Sequence, residues 1–446
     1  MAGGSSLGCN LRSGDKALIR QRVLGILLNL LIVALAASLV VPRAQDVAGV
    51  FMICGAIVGI SIVPVPLRWV AGILIGVGVL AFTIALTRGY SSSPSEILSV
   101  NQTLIGMIAA VSFLQLITPK GRPVHPRLSG RAAVWRTTGA VHLLGSVINM
   151  TVVSSAGDHL RKHNVLATSD ALLISRAFSS GAFWSPFWAA SAAALTYAPE
   201  ARIPVVFACG AALACLAIAF SSESTARLLG SELRGYQGYA LTRQVLQVPV
   251  AMLVLVVLIH FLAPSVPVAK VVLVCSLTIT ATVLYLQDFR GATRKIANHA
   301  VHHVPKFQGE LTLFASAGVL AVGLNAFLSV TSISLPSGEF GVLAAWLCIV
   351  VMVVAALIGV HPIVSIAALA AVAAQMEPDP TLFVLASIIG WGCSITIGPL
   401  SALLISLNGR YGVSNLAVVR GNLPYVIFTV VVSYPCLLLC NALTQS

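Results

Sequence analysis

Long apolar blocks of about 18–22 residues recur along the whole 446-residue chain and match a bilayer core of roughly 30 Å. Short basic or Pro/Gly-rich joints separate them. Hydrophobic residues make up 58% of the sequence and charged residues only 9%, against roughly 25% charged in soluble domains. We see no alternating segments of about ten residues, the pattern of a membrane β-barrel. The sequence therefore predicts an all-α polytopic membrane protein.

The first apolar block covers 23–41 and follows four basic residues, Arg12, Lys16, Arg20 and Arg22. It is longer than the core of a signal peptide and ends in Val40–Val41–Pro42–Arg43, without a small-residue cleavage site. We expect a retained first span with the N-terminus in the cytoplasm. The alternative is a cleaved signal peptide.

The formal net charge is +13. The cations lie in the joints between spans, as the positive-inside bias requires, so we expect no nucleic-acid partner. The joint 119–136 carries five cations and no acid and is expected to be cytoplasmic. The nine cysteines form no CxxC pair and predict neither disulfides nor a metal site.

Four apolar segments are interrupted by Gly, Ser, His or Pro. The interruptions fall at 145–151, at 179–186, at 359–362, and at 392–394 with 398–399. Placing Pro186 over Pro399, at an offset of 399 − 186 = 213 residues, superimposes both breaks of one half on those of the other. It also lays the span 98–118 over 311–331. We predict two repeats, each with a hairpin followed by a broken helix.

The flanking charges predict that the repeats are inverted. Cations flank the first hairpin, whereas Glu339, Glu377 and Asp379 flank the second. This gives about eleven transmembrane helices plus two re-entrant hairpins, with the C-terminus outside and a bacterial inner membrane as the location. The predicted parts are the N-terminus with an extra span (1–45), the first repeat (46–220, hairpin 137–160, broken helix 169–198), a cytoplasmic interfacial linker (221–245) and the second repeat (246–446, hairpin 340–376, broken helix 382–407).

Broken helices in lipid leave backbone groups unpaired unless protein, water or a ligand satisfies them. Paired discontinuous helices are typical of secondary transporters, with the site near the midplane. Half-helix N-termini suit anions, and carbonyls at C-terminal ends suit sodium. The candidate substrate residues are Asn149, Thr151, Ser180, Gly181, His361, Pro362, Ser394 and Thr396. The candidate ion residues are Ser146, Asn149, Ser179, Ser185, Gly359, Gly392, Cys393 and Gly398.

All 13 acids fall in joints or at segment ends. Proton pumps and carriers of organic cations usually keep a carboxylate inside the membrane, so the pattern favours an anionic or neutral substrate. We expect Arg176 to snorkel to the cytoplasm; the alternative is that it neutralises an anion. His142 is given no role.

The hairpin tips read Ser146-Val-Ile-Asn149-Met-Thr151 and Gly359-Val-His361-Pro362. With the repeat plan, this arrangement resembles the ion transporter superfamily, which includes divalent-anion:sodium symporters, citrate carriers, arsenite permeases and the large membrane subunits of TRAP transporters. The resemblance implies a secondary active transporter for a small anionic solute, an organic acid or carboxylate. It also implies sodium or proton coupling, an elevator mechanism and a homodimer, with no other cofactor and no enzymatic activity.

Two alternatives stay open. One is an ion antiporter or metalloid-anion permease on the same fold. The other is a membrane enzyme acting on a lipid-linked substrate, for which Asp158, His159 and His163 are the candidate residues.

Overall fold

The computed structural model describes residues 5–92, 100–118, 128–148, 150–162, 165–239, 243–331 and 339–445. Over these residues the chain is almost entirely helical. Strand is limited there to one parallel pair of two-residue strands, β1 (Glu339–Phe340) and β2 (Glu377–Pro378). The all-α prediction is confirmed at this level.

Seven helices of the described part are long and apolar enough to cross a membrane: Leu18–Ala37, Val65–Thr87, Ile203–Gly235, Val268–Gln287, Phe289–Val330, Pro380–Tyr411 and Asn415–Gln445. Five shorter apolar helices accompany them: Ala44–Ile60, Gln102–Leu116, Leu246–Leu262, Val342–Leu357 and Pro362–Ala373. Large apolar side chains such as Ile26, Ile73 and Leu438 are exposed, as expected on surfaces that face lipid. The chain is a multi-pass membrane protein, whereas eleven spans and re-entrant hairpins stay predictions.

Two compact units are built from interleaved parts of the chain. Unit 1 comprises Met1–Ile117 and Ala269–Ser332. Unit 2 comprises Thr118–Val268 and Ile333–Ser446.

Unit 1 contains α1 (Ser5–Ala37), α2 (Ala44–Ile60), α3 (Val65–Thr87), α4 (Gln102–Val111), α11 (Val268–Gln287), α12 (Phe289–His302) and α13 (Gln308–Val330), with 3-10 turns at Ser112–Leu116 and Val304–Phe307. Helices α3 and α13 approach so closely that a Cβ on Gly323 would lie 2.0 Å from the Gly78 carbonyl oxygen. Small residues allow this contact, as they commonly do between membrane helices.

Unit 2 contains α5 (Arg131–Ile148), α6 (Thr151–Leu160), α7 (Thr168–Ser179), α8 (Ala189–Tyr197), α9 (Ile203–Leu229), α10 (Arg243–Leu262), α14 (Val342–Leu357), α15 (Pro362–Ala373), α16 (Pro380–Ile397), α17 (Ala402–Tyr411) and α18 (Asn415–Gln445). A 3-10 turn at Ser180–Phe183 extends α7. Another, at Gly230–Gly235, follows α9. The predicted interfacial linker therefore begins as the last turns of α9, which continues unbroken to Leu229.

Helix interruptions in unit 2 separate α5 from α6, α7 from α8, α14 from α15, and α16 from α17. The last lies at 398–401. The predicted break at 392–394 is wrong, because α16 runs without a break from Pro380 to Ile397. A glycine inside a helix costs about 1 kcal/mol relative to alanine and is tolerated where packing needs it. The carbonyls of Gly392 and Cys393 therefore lie inside a helix, not at its end.

The helix contacts of unit 2 occur in matched pairs between the two predicted repeats. In the first repeat α7 packs on α18, and the equivalent contact of the second repeat is that of α16 on α9. In the same way, the contact of α6 with α17 is matched by that of α15 with α8. Helices α9 and α18, which the 213-residue offset makes equivalent, pack antiparallel: the Cys436 thiol donates to the Cys209 carbonyl, and Phe220 stacks on Phe428 at 4.6 Å. Equivalent helices that pack antiparallel are what inverted repeats require.

Candidate functional site

The tip of the first hairpin is bonded to the break of the first broken helix. The Ser185 hydroxyl donates to the Ser146 carbonyl, and the Trp188 indole N–H donates to the Gly145 carbonyl at 3.1 Å. A Cβ on Gly181 would lie 2.9 Å from Ser146 Oγ, so the close approach depends on glycine at this position. Four of the candidate residues therefore lie close together and are here called the tip cluster: Ser146, Ser180, Gly181 and Ser185.

His142 lies next to Ser180 of the tip cluster, and its side chain is buried, at 5% exposed. The Trp184 indole N–H donates to His142 Nε2 at 3.0 Å, so the ring hydrogen is on Nδ1 and is donated to Ser180 Oγ at 2.8 Å. Both ring nitrogens are therefore used, and the ring is held neutral in one tautomer. Sequence reasoning missed this residue, although its position one turn before Ser146 places it on the same face of α5.

The buried hydroxyls of the candidate set already donate their hydrogens to backbone carbonyls. Ser179 donates to Arg176 at 3.1 Å and Thr396 to Cys393 at 2.7 Å, both within one turn. Ser394 donates to the Met352 carbonyl at 3.0 Å. What these hydroxyls retain is oxygen lone pairs, which suit a cation or a donor group on a solute.

His361 caps α15, which forms the second arm of the predicted second hairpin. Its Nδ1 accepts from the backbone N–H of Ile363 at 3.2 Å, and its ring lies 5.4 Å from Trp391, nearly perpendicular. Pro362 takes the first helical position, where its missing N–H does no harm. Gly359 has φ +90°, a conformation that favours glycine.

The two broken helices meet at Gly392. A Cβ there would lie 2.4 Å from the Phe183 ring and 2.9 Å from the Ser179 carbonyl oxygen. The contacts of the described residues thus join each hairpin tip to its own broken helix, and the two broken helices to each other.

Gly398 follows the last residue of α16, and its N–H donates to the Ser394 carbonyl at 2.7 Å. Thr151 is half-buried and begins α6. Asn149, expected to contact both ion and substrate, lies outside the described residues.

Arg176 is buried, at 2% exposed, so the expectation that it snorkels is wrong. Its Nε donates to Asn422 Oδ1 at 2.9 Å, its Nη1 to Ser224 Oγ at 2.7 Å and its Nη2 to the Gly421 carbonyl at 2.5 Å. These partners hold the guanidinium inside the unit. The Tyr425 ring also lies 5.8 Å from it.

Asn422 connects the two broken helices. Fully buried on α18, it donates to Ser175 Oγ at 3.1 Å and to the Thr396 carbonyl at 2.9 Å. Its amide oxygen accepts from Arg176. Sequence reasoning missed Asn422, and the available signal was a polar residue inside a long apolar helix.

The ion pairs of the described residues join partly or largely exposed side chains and do not include Arg176. They are Arg131–Glu223, Arg161–Asp158, Arg410–Asp158 and Lys295–Asp288. At Asp288, in the joint between two spans, the Gly291 N–H and then Lys295 hold the pKa of the carboxyl below its usual value. The guanidinium of Arg176 is thus surrounded by neutral oxygens without a carboxylate partner in this part of the chain.

The residues proposed for an enzyme serve structural bonds. Both Asp158 oxygens accept from Arg410, and Oδ1 also accepts from the Tyr411 hydroxyl. His159 Nε2 lies 3.1 Å from the Gly238 carbonyl oxygen. His163 lies outside the described residues. In the described part, no group of three or more His, Cys, Asp or Glu side chains is placed to hold a metal ion.

No protein-family model matches the sequence, and no curated protein matches it. Among solved structures, the YdaH transporter of Alcanivorax borkumensis, described as having an unusual topology, is similar at a TM-score of 0.38 and 14% identity. The match covers 84% of this chain and 85% of that one. A likeness of this degree assigns neither a family nor an activity to this protein.

Proposed function

We propose that this protein is a secondary active transporter that moves a small anionic solute, an organic acid or carboxylate, across the membrane. The proposal rests on one observation above all, the pair of uncapped helix N-termini beside the tip cluster. The charge distribution and the separation of the chain into two units support it further.

Helices α6 and α8 both begin next to the tip cluster. Thr151 starts α6 five residues after Ser146, and Ala189 starts α8 four residues after Ser185. Among the described residues, neither Met150 at the N-cap of α6 nor Trp188 at the N-cap of α8 makes a side-chain capping hydrogen bond. Uncapped N-termini present free backbone N–H groups and a partial positive charge, which bind carboxylates and other anions.

The corresponding helices of the second repeat are capped. His361 accepts from the N–H of Ile363 at the start of α15, and Ser401 accepts from Leu404 at the start of α17. This difference favours the first repeat as the place where the anionic group binds. The proposed contacts are Thr151, Gly181 and the N–H groups of α6 and α8, with Asn149 as a further candidate. Ser180 is not retained, because its hydroxyl donates to the Ala177 carbonyl and accepts from His142.

Charge supports an anionic solute. Arg176 places a positive charge in the core of unit 2 without a carboxylate partner among the described residues. In a medium of low dielectric constant this charge attracts anions and repels cations over several ångströms. A carrier of organic cations would need the opposite arrangement.

The division into units supports an elevator mechanism. The four helix interruptions, after α5, α7, α14 and α16, all belong to unit 2, which would therefore carry the bound solute across the bilayer. The hydroxyl oxygens of Ser146, Ser179 and Ser185, with Gly359 and Gly398, stay candidates for the coupling ion, sodium or a proton. Gly392 and Cys393 are not retained, because they lie inside α16.

Uptake into proteoliposomes tests the proposal. Labelled mono-, di- and tricarboxylates are offered with an inward sodium gradient, an inward proton gradient or neither. We expect saturable uptake of at least one carboxylate, with no uptake of organic cations of similar size. Uptake of cations alone, or of no solute by protein that is folded in the same vesicles, would refute it.

A further inference from the structure

The guanidinium of Arg176 lies among three neutral oxygens from two helices. They are Asn422 Oδ1 and the Gly421 carbonyl on α18 and Ser224 Oγ on α9, here called the oxygen cage, at 2.9, 2.5 and 2.7 Å from the nitrogens. An amide oxygen, a backbone carbonyl and a hydroxyl are the ligand types that hard cations prefer in proteins. The cage thus has the composition of a cation site, and the cation it holds is a side chain.

Helix ends place negative partial charge near the oxygen cage. Arg176 lies in the last turn of α7, and Asn422 passes a hydrogen bond to the carbonyl of Thr396 in the last turn of α16. The C-terminal turn of a helix carries a partial negative charge and is stabilised by a cation. Arg176 therefore contributes its charge at the junction of both broken helices, in the manner expected of a coupling ion at a discontinuous helix.

Buried hydroxyls beside the oxygen cage add further neutral oxygen. Ser221 and Thr225 are fully buried on α9. Ser221 lies one turn before Ser224, and Thr225 follows Ser224 directly. The hydroxyls of Ser221 and Thr225 have no hydrogen-bond partner among the described residues. Residues three and four apart share a helix face, so Ser221 lies on the same side of α9 as Ser224 and Thr225. This face offers oxygen but no charge that could replace the guanidinium.

We infer that Arg176 is a tethered cation that takes the place of a coupling sodium ion at the junction of the broken helices. Solute transport by this protein is then independent of sodium. The inference rests on the proposed function, since it assigns the coupling of that transport. It also makes a prediction about the cage itself that needs no transport measurement.

Removing the Arg176 guanidinium tests whether the oxygen cage needs a cation. In Arg176→Ala the three oxygens lose their cation, and we expect the Tm of the purified full-length protein to fall by about 5 °C or more. Millimolar guanidinium chloride should restore much of this loss, with sodium chloride giving a smaller recovery and urea, the neutral analogue, none. Wild-type Tm should not depend on which of these is added.

Arg410→Ala is the matched control, because it removes an exposed arginine of the same unit that pairs with Asp158. Guanidinium should leave its Tm unchanged. If Arg176→Ala cannot be purified, Arg176→Lys and Arg176→Gln replace it. The lysine variant should resemble the wild type in sodium and in choline, whereas the glutamine variant should be stabilised by added cation.

Two results decide the inference separately from the proposed function. Wild-type uptake that stops when sodium is replaced by choline would overturn the inference and leave the proposed transport intact. An Arg176→Ala variant that guanidinium does not stabilise would also overturn it. Absence of uptake in every medium would contradict the proposed function, while the Tm series would still decide whether the cage holds a tethered cation.

Discussion

At the scale of single residues, the buried side chains of His142, Arg176 and Asn422 are held by partners that are distant in the sequence. His142 bonds to Ser180 across 38 residues, and Asn422 bonds to Ser175 across 247. Nothing in the local sequence around His142 or Asn422 indicates such partners. The serines of the tip cluster were predictable because they lie beside glycine and proline, which mark helix breaks.

His142→Phe should destabilise the protein, because it leaves the Trp184 indole and the Ser180 hydroxyl without their shared partner. We expect a loss of about 1–3 kcal/mol in the free energy of unfolding, measured by thermal or denaturant unfolding in detergent. His302→Phe, at an exposed position on α12, serves as the control and should have little effect. Equal stability of His142→Phe and the wild type would contradict the hydrogen bonds assigned to this ring.

At the scale of elements, neither proline nor glycine marks a helix break by itself. Pro186 and Pro399 both lie in observed interruptions, since proline has no N–H to continue a helix, whereas Pro249 lies inside α10 and Pro424 and Pro435 lie inside α18. Gly392 predicted a break and instead lies inside α16, where it allows contact with Phe183. Glycine permits both a break and a close approach, so its role is decided by packing that the local sequence does not contain.

Gly210→Ala tests the packing of α9 on the first break. Its Cβ would lie 1.8 Å from the Phe183 carbonyl oxygen, a backbone atom that cannot move without displacing the 3-10 turn. We expect destabilisation of about 1–3 kcal/mol or more, read from the unfolding midpoint. Gly139→Ala is the matched control, because a Cβ at this helical position meets nothing within 4 Å. A Gly210→Ala variant as stable as Gly139→Ala would show that α9 does not pack as described.

At the scale of the whole molecule, composition predicted the class, and the order of the sequence did not predict the units. Apolar blocks identify membrane helices because the bilayer imposes their length and polarity. The sequence suggests two consecutive repeats, whereas the compact units each combine a piece from the first part of the chain with a piece from the second. Such interleaving depends on contacts between distant helices, which periodicity and charge do not encode.

The flanking charges remain the basis for the predicted orientation of the repeats. The antiparallel packing of α9 on α18 supports inversion from within unit 2. Among the described residues, α15 and α17 have side-chain caps at their N-termini and α6 and α8 have none, so the similarity of the predicted repeats does not extend to these caps.

Counterflow of a labelled carboxylate into preloaded proteoliposomes tests most directly the claim that the tip cluster and the two uncapped helix N-termini bind a transported anion. Wild type and Gly139→Ala should accumulate label transiently, whereas Gly181→Ala should lose most of the signal, because its Cβ would lie 2.9 Å from Ser146 Oγ and displace the tip of the hairpin. Equal counterflow in Gly181→Ala and Gly139→Ala, with both variants folded, would contradict this site.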